Sequence, residues 1–206
     1  MNKELSWWQG DGGNAYMYRN SYTPQNVDRR ALSFQRIQRH MIPAPSAILE
    51  VGAGPGENLL ALQNSSTANL YAIEPNESAR VALEQLFGSD RIFDGHAEAI
   101  PSPDNTFDLV FTAGVLIHIA PPRVPYAMRE MVRVSKRYVL AIEYFSPQAE
   151  PVVYYGDERI WRNDFGKIYL AQGLEQVAHG FFWKEAGEGF DNTVWWLMKK
   201  PEEWKP

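Results

Sequence analysis

The stretch Ile48-Leu49-Glu50-Val51-Gly52-Ala53-Gly54-Pro55-Gly56-Glu57-Asn58-Leu59 decides the fold. A short apolar run carrying one acid breaks into three alternate glycines, and a helix-forming segment follows. A plain strand-to-helix turn needs one glycine. Three of them suit a tight turn whose backbone approaches a ligand with no Cβ in the way. The free amides at the start of the following helix favour an anionic or polar group. The stretch is therefore read as a nucleotide-type site on a strand–loop–helix unit.

Working outward, the next apolar run ends at Ile73-Glu74-Pro75-Asn76. An acid about twenty residues past the glycines can accept hydrogen bonds from both hydroxyls of a ribose. A nicotinamide cofactor would call for a glycine three residues after Gly54, and Glu57 stands there. A Tyr–Lys pair for hydride transfer is also missing, so an oxidoreductase is the weaker alternative. A non-catalytic cofactor-binding module is another.

Around this unit, strands and helices alternate. Pro24–Met41 reads as a helix, with Val27, Ala31, Phe34, Ile37 and Met41 near helical spacing and prolines at 43 and 45 ending it. Strands are expected at Ala47–Val51, Asn69–Ile73, Phe107–Thr112 and Tyr138–Glu143, with a minimal one at Ile92–Phe93. Helices are expected at Glu57–Gln63, Glu77–Phe87, Arg123–Val134 and Asp164–Gln172. Leu174–Trp183 and Thr193–Met198 read as a closing antiparallel pair. Such alternation implies an α/β fold, a mostly parallel sheet covered on both faces. Residues 1–23, rich in Gly, Asn, Tyr and Trp and without clean periodicity, read as an ordered N-terminal cap rather than a strand or long helix. One domain over 1–206 is expected: cap and helix to 45, a cofactor-binding core over 46–143, then a lid segment and closing strands.

Composition narrows the function. The 206 residues carry a net charge of −5 and no cysteine, which excludes disulfides and thiolate chemistry. No basic stripe marks a nucleic-acid binder. The densest basic stretch, Arg29 to Arg39, reads as the solvated face of a helix. No run reaches the length of a membrane span, and the start lacks a signal-peptide pattern. A cytoplasmic monomer or homodimer acting on a small molecule, with no membrane or nucleic-acid partner, is the expectation. No histidine has partners at metal-ligand spacing, and no metal is expected.

The spacing Gly52-x-Gly54-x-Gly56, with an acid two residues before it, resembles the S-adenosylmethionine loop of class I methyltransferases. So do Asp94-Gly95-His96-Ala97, Phe107-Asp108-Leu109-Val110 and the post-strand segment Gly114-Val115-Leu116-Ile117-His118. The resemblance implies a Rossmann-like fold with a seven-stranded sheet, mostly parallel with an antiparallel edge strand, and S-adenosyl-L-methionine as cofactor. It implies cofactor contacts from Glu50, Gly52, Ala53, Gly54, Gly56 and Asn58 in the loop, and from Glu74 and Pro75 after the second strand. His96, Ala97, Ala113, Gly114 and Val115 complete that set. His96 stands where many members carry an acid, which leaves the adenine contact open between His96 and the Ala97 backbone amide. A closer likeness is to the pseudaminic acid biosynthesis-associated methylases. Its residues include Trp8-Gln9-Gly10, Tyr16-Met17-Tyr18-Arg19-Asn20, Glu143-Tyr144-Phe145-Ser146-Pro147, the run Tyr155 to Phe165 and Trp195-Trp196-Leu197-Met198. It implies an acidic nonulosonic sugar or its nucleotide-linked form as acceptor. Two departures stand against it: Gly54-Pro55-Gly56 is the generic loop, and Tyr154-Tyr155-Gly156 lacks an arginine of that family.

Methyl transfer from a sulfonium needs an aligned acceptor, excluded water and, for a hydroxyl, a base. His118, at the carboxyl edge of the sheet, is the candidate base; it could equally be a structural histidine. Glu143 and Tyr144, closing the next strand, are candidate acceptor contacts together with Tyr155 and Arg162; Glu143 could instead pair with Arg162. In the cap, Tyr16 could cover the sulfonium and Arg19 meet the methionine carboxylate. An N- or O-methyltransferase of a natural product is the sibling reading.

Overall fold

The apolar character of Ala47–Val51 (β1), Asn69–Ile73 (β2) and Phe107–Ala113 (β4) has a simple cause: these strands lie inside the sheet. In β1, Ile48, Leu49, Glu50 and Val51 are all buried, so no solvated face exists to demand alternation. The computed structural model describes residues 3–154 and 158–205. β1 pairs in parallel with β2 and β4, β2 with Ile92–Phe93 (β3), and β4 with Ser135–Glu143 (β5). The sheet has seven strands in the order β3-β2-β1-β4-β5-β9-β8. Thr193–Lys199 (β9) runs antiparallel to both β5 and Glu175–Phe182 (β8), which leaves β8 at the edge.

Helices cover both faces. Pro24–Gln38 (α3), Glu57–Gln63 (α4) and Glu77–Phe87 (α5) pack on one side, where Phe34, Ile37, Leu59 and Leu83 meet Phe111, Phe182 and Trp195. On the other, Val124–Val134 (α6) and Phe165–Ala171 (α7) bring Met128, Met131, Phe165 and Tyr169 against Val110, Val139 and Trp196. Adjacent residues of one strand, Trp195 and Trp196, thus serve opposite layers, as a period of two requires. The helix starts follow local chemistry. Thr23 accepts the Asn26 amide at 3.2 Å before Pro24, and Asn76 accepts the Ala79 amide at 3.0 Å.

Three departures from the sequence reading have physical reasons. The N-terminal cap holds two short helices, Lys3–Gln9 (α1) and Asp11–Arg19 (α2), elements that the sequence reading did not place. Gly13 lets α2 press onto α1, since a Cβ there would stand 1.9 Å from the Trp8 carbonyl oxygen. The lid segment contains an antiparallel hairpin of Glu150–Tyr154 (β6) and Glu158–Arg162 (β7), separate from the main sheet. The helix expected to reach Met41 ends at Gln38. Among the described residues no helix is long and apolar enough to cross a membrane.

Candidate active site

The carboxyl ends of β1, β2 and β4 meet where the strand order reverses, the place where open α/β sheets bind ligands. Gly52 and Gly54 turn the chain off β1 at φ of 76° and 51°, in the left-handed region. Gly52 has no room for a side chain, because a Cβ would stand 2.7 Å from Val115 Cγ2. The space around Gly54 is open.

Three buried acids surround this turn. Glu74, at the end of β2, accepts the Gly54 amide on Oε2 at 2.8 Å and the Asn76 amide on Oε1 at 2.9 Å. Burial raises its pKa, and those two amides oppose the shift. Glu50, fully enclosed, takes Asn58 Nδ2 on Oε1 at 2.6 Å; its Oε2 has no hydrogen-bond partner among the described residues. Burial pushes its pKa up to about 8, against the Asn58 hydrogen bond and the nearby Arg30. Glu143, at the tip of β5, is buried as well; its Oε1 accepts the amides of Val115 and Leu116, each at 3.1 Å.

A cavity of about 610 Å³ opens over the turn. Its floor is Glu50, Gly52, Ala53, Gly54 and Asn58. Glu74 and Pro75 line one flank with His96 and Ala97, and Ala113, Gly114, Val115 and His118 line the other. Tyr16 and Arg19 of α2 close over it. The structure thus brings together nearly all of the expected cofactor residues. Gly56 is the exception. It faces away from the cavity, and a Cβ there would strike Leu83 at 2.7 Å, so it serves the packing of α4 on α5.

The expected acceptor residues fare differently. Glu143 does not reach the cavity wall, nor does Arg162, which is exposed on β7 opposite Glu150. Glu143 instead accepts from two backbone amides through its Oε1. Tyr144 is also off the wall; its hydroxyl donates to Asp191 Oδ2 at 2.9 Å, and Asp191 does line the cavity. Tyr155 lies outside the described residues. His118 faces the cavity with its ring edge-on to Trp8 at 4.7 Å, and Trp8 meets Tyr16 at 5.0 Å. Burial pushes the imidazole pKa down to about 4, so the ring is neutral near pH 7.

Several wall residues were not legible in the sequence. Arg30 belongs to the basic stretch assigned to solvent, yet it is half-buried and pairs with Glu57 at 2.8 Å. It also donates to Asn58 and, through Nε, to the Gly189 carbonyl at 2.9 Å. Its place was visible in one respect, since it falls three residues after Val27 and four before Phe34, on the buried stripe of α3. Burial lowers its pKa against the pull of Glu57 and Glu50. Asn76, beyond capping α5, donates from Nδ2 to the Trp8 carbonyl at 3.0 Å and to Asn14 Oδ1 at 2.9 Å, latching the cap to the end of β2. Arg123 joins Glu98, beside His96 and Ala97, to Glu4 of α1. Among the described residues no group of three or more His, Asp or Glu side chains could hold a metal ion.

Strand order, glycine turn and paired acids define a Rossmann-like domain of the class I methyltransferase type. Residues 49–141 match the family model of the methyltransferase domain. A probable methyltransferase, ltbC, of Aspergillus luteorubrus is 31% identical over 181 residues, covering 77% of this chain and 62% of its own length. A tRNA U34 carboxymethyltransferase of Shewanella denitrificans is 27% identical over 161 residues, covering 73% and 46%. The chain therefore spans about three fifths and just under half of these two curated relatives. Among solved structures, a 1,6-didemethyltoxoflavin-N1-methyltransferase of Burkholderia thailandensis, with that compound and S-adenosylhomocysteine bound, superposes with a TM-score of 0.71. It is 15% identical and covers 96% of this chain and 85% of its own. Magnesium protoporphyrin IX methyltransferase of Synechocystis, with S-adenosylmethionine bound, gives 0.70 at 11% identity over 98% and 99%. At such identities the likeness is one of fold.

Proposed function

We propose that the protein methylates a small polar acceptor at the expense of S-adenosylmethionine, as an O-methyltransferase of a sugar or nonulosonic-acid-type molecule. The observation that carries the cofactor part is the open space above Gly54 beside a buried Glu74. Each Glu74 oxygen uses one lone pair on a backbone amide and keeps another for a ribose hydroxyl. Glu50 Oε2, buried and unpartnered on the cavity floor, suits an ammonium group such as that of the methionine moiety. The bound cofactor would supply the electrophilic methyl group and the thioether leaving group.

The remaining work falls to the chain. Trp8, Tyr16 and His118 make an aromatic wall that excludes water and can take the apolar face of a sugar ring. Arg29 and Asp191, which also line the cavity, offer a cation and an acid for polar substituents. His118, neutral near pH 7, can accept the hydrogen bond of an acceptor hydroxyl and withdraw its proton during transfer. The nonulosonic assignment rests on the likeness of the segment from Glu143 to Phe165 to its family. A flat natural-product acceptor is the second reading, favoured by the same aromatic wall.

Calorimetric titration of S-adenosylhomocysteine tests the cofactor site; no measurable heat at protein concentrations near 100 µM (roughly the micromolar-to-millimolar affinity window) would sink the proposal. Transfer of labelled methyl to sugar acids, compared with flat heteroaromatic compounds, then separates the two acceptor classes.

A further inference from the structure

A carboxyl group enclosed on every side needs a reason, because burying it without hydrogen bonds costs several kcal/mol. Glu143 is such a group, at the last residue of β5, with no exposed surface. Around it stand Thr112 of β4, the fully buried Tyr169 of α7, whose hydroxyl meets Met131 Sδ at 3.6 Å, and Val194 of β9 in register. No basic side chain figures among the groups acting on it. Its partners are instead the successive amides of Val115 and Leu116.

Those amides sit at a decisive corner. The Gly114 amide still donates to the Ile142 carbonyl at 2.9 Å, so β4 and β5 remain joined to that point. The chain then swings away at Gly114 with φ of 69° and enters the single 3-10 turn Leu116–His118. The next two amides have no strand to bond to, and in an interior they require an acceptor. Glu143 supplies one oxygen for both. What hangs from this corner is functional: Gly114, Val115 and His118 line the cavity, and the Val115 methyls fill the space that a Cβ on Gly52 would claim. A line of contacts therefore runs from Glu143 Oε1 through the Val115 amide and side chain to the glycine turn.

We infer that Glu143 is a positioning residue, holding the corner 114–118 so that Val115 shapes the glycine turn and His118 is aimed at the acceptor. It acts through backbone amides without touching cofactor or acceptor. A glutamine keeps the accepting oxygen and turns its NH2 toward the Thr112 hydroxyl, which stands beside the carboxyl. An alanine leaves both amides orphaned.

The part concerning cofactor affinity rests on the methyltransferase reading, whereas amide exchange reads the anchor directly. In the wild-type protein, slow hydrogen exchange is expected at Val115 and Leu116. In Glu143→Ala, both amides should lose at least tenfold in protection while β9 keeps its own, and affinity for S-adenosylhomocysteine should drop about tenfold or more. Glu143→Gln should restore both readouts to within about threefold of wild type. Unprotected Val115 and Leu116 in the wild type would overturn the inference even if Glu143→Ala failed to fold. So would an alanine variant binding S-adenosylhomocysteine as well as wild type, or a glutamine variant as damaged as the alanine one. A wild-type protein with protected amides but no affinity for S-adenosylhomocysteine would sink the methyltransferase reading alone.

Discussion

The cavity has two unlike walls. One is backbone: Gly52, Ala53 and Gly54 on one strand end, Ala113 and Gly114 on another, held in place by parallel strands on both sides. The other is side chain: Trp8 and Tyr16 from short N-terminal helices, Arg29 and Arg30 from α3, Asp191 from the turn before β9. The backbone wall is dictated within a few residues of sequence. The side-chain wall exists only once segments more than 150 residues apart meet, as when Ser33 donates to the Glu188 carbonyl at 2.8 Å. A site built this way can keep its cofactor while changing its acceptor, because the second wall can be rewritten without disturbing the first.

The strongest way to break this division is Gly54→Val. A branched side chain at φ of 51° fills the ligand's space and leaves the core intact. S-adenosylhomocysteine affinity should fall by about a hundredfold or more, which is about 2.7 kcal/mol, while the protein stays folded by circular dichroism. Next along the chain from the backbone wall at Gly114, His118→Ala should cut methyl transfer by about a hundredfold with cofactor affinity little changed. Because its pKa lies near 4, the wild-type rate should show no His118 step between pH 5.5 and 7.5; an inflection near 6.5 would contradict the neutral, buried ring. Glu74→Ala should weaken S-adenosylhomocysteine binding by about tenfold to a hundredfold, the range of hydrogen bonds to a charged group.

Stability supplies the smaller effects. Glu50 has a folded-state pKa near 8, above its ordinary value of 4.5. The native protein therefore retains a proton that the unfolded chain has released, and stability falls as pH rises from about 4.5 to 8. Glu50→Gln should remove that slope, so that its stability relative to wild type rises steadily from pH 5 to pH 8.5 by denaturant titration. Last, Arg36→Ala breaks the ion pair to Glu188 that steadies the loop behind Asp191. Arg36 is well exposed there, and the loss should stay under about 1 kcal/mol.

The same division explains what could be read in advance. β1, the glycine turn and α4 announce themselves because apolar runs and glycines at strained φ are local requirements. The hairpin of β6 and β7 does not, because Val152 and Ile160 acquire their meaning only by packing against the second core layer. The two N-terminal helices were hidden by Gly10, Gly12 and Gly13, which are poor helix formers in isolation. Glu143 was picked out by its position on the sheet edge, but sequence cannot show that its carboxyl points inward. Arg30 was misassigned because a charge on an apolar stripe looks like an error in the pattern until Glu57 and Asn58 are seen beside it.

Asn76 carries one more consequence. Its side chain begins a helix with one atom and fastens the N-terminal cap with another, so the cap over the cavity hangs on the same residue that follows β2 and Glu74. Two such hydrogen bonds contribute about 1–3 kcal/mol together, small beside the packing of the core. The start of α5 and the seat of the N-terminal cap are thus coupled through one side chain, so that disturbing either disturbs the other.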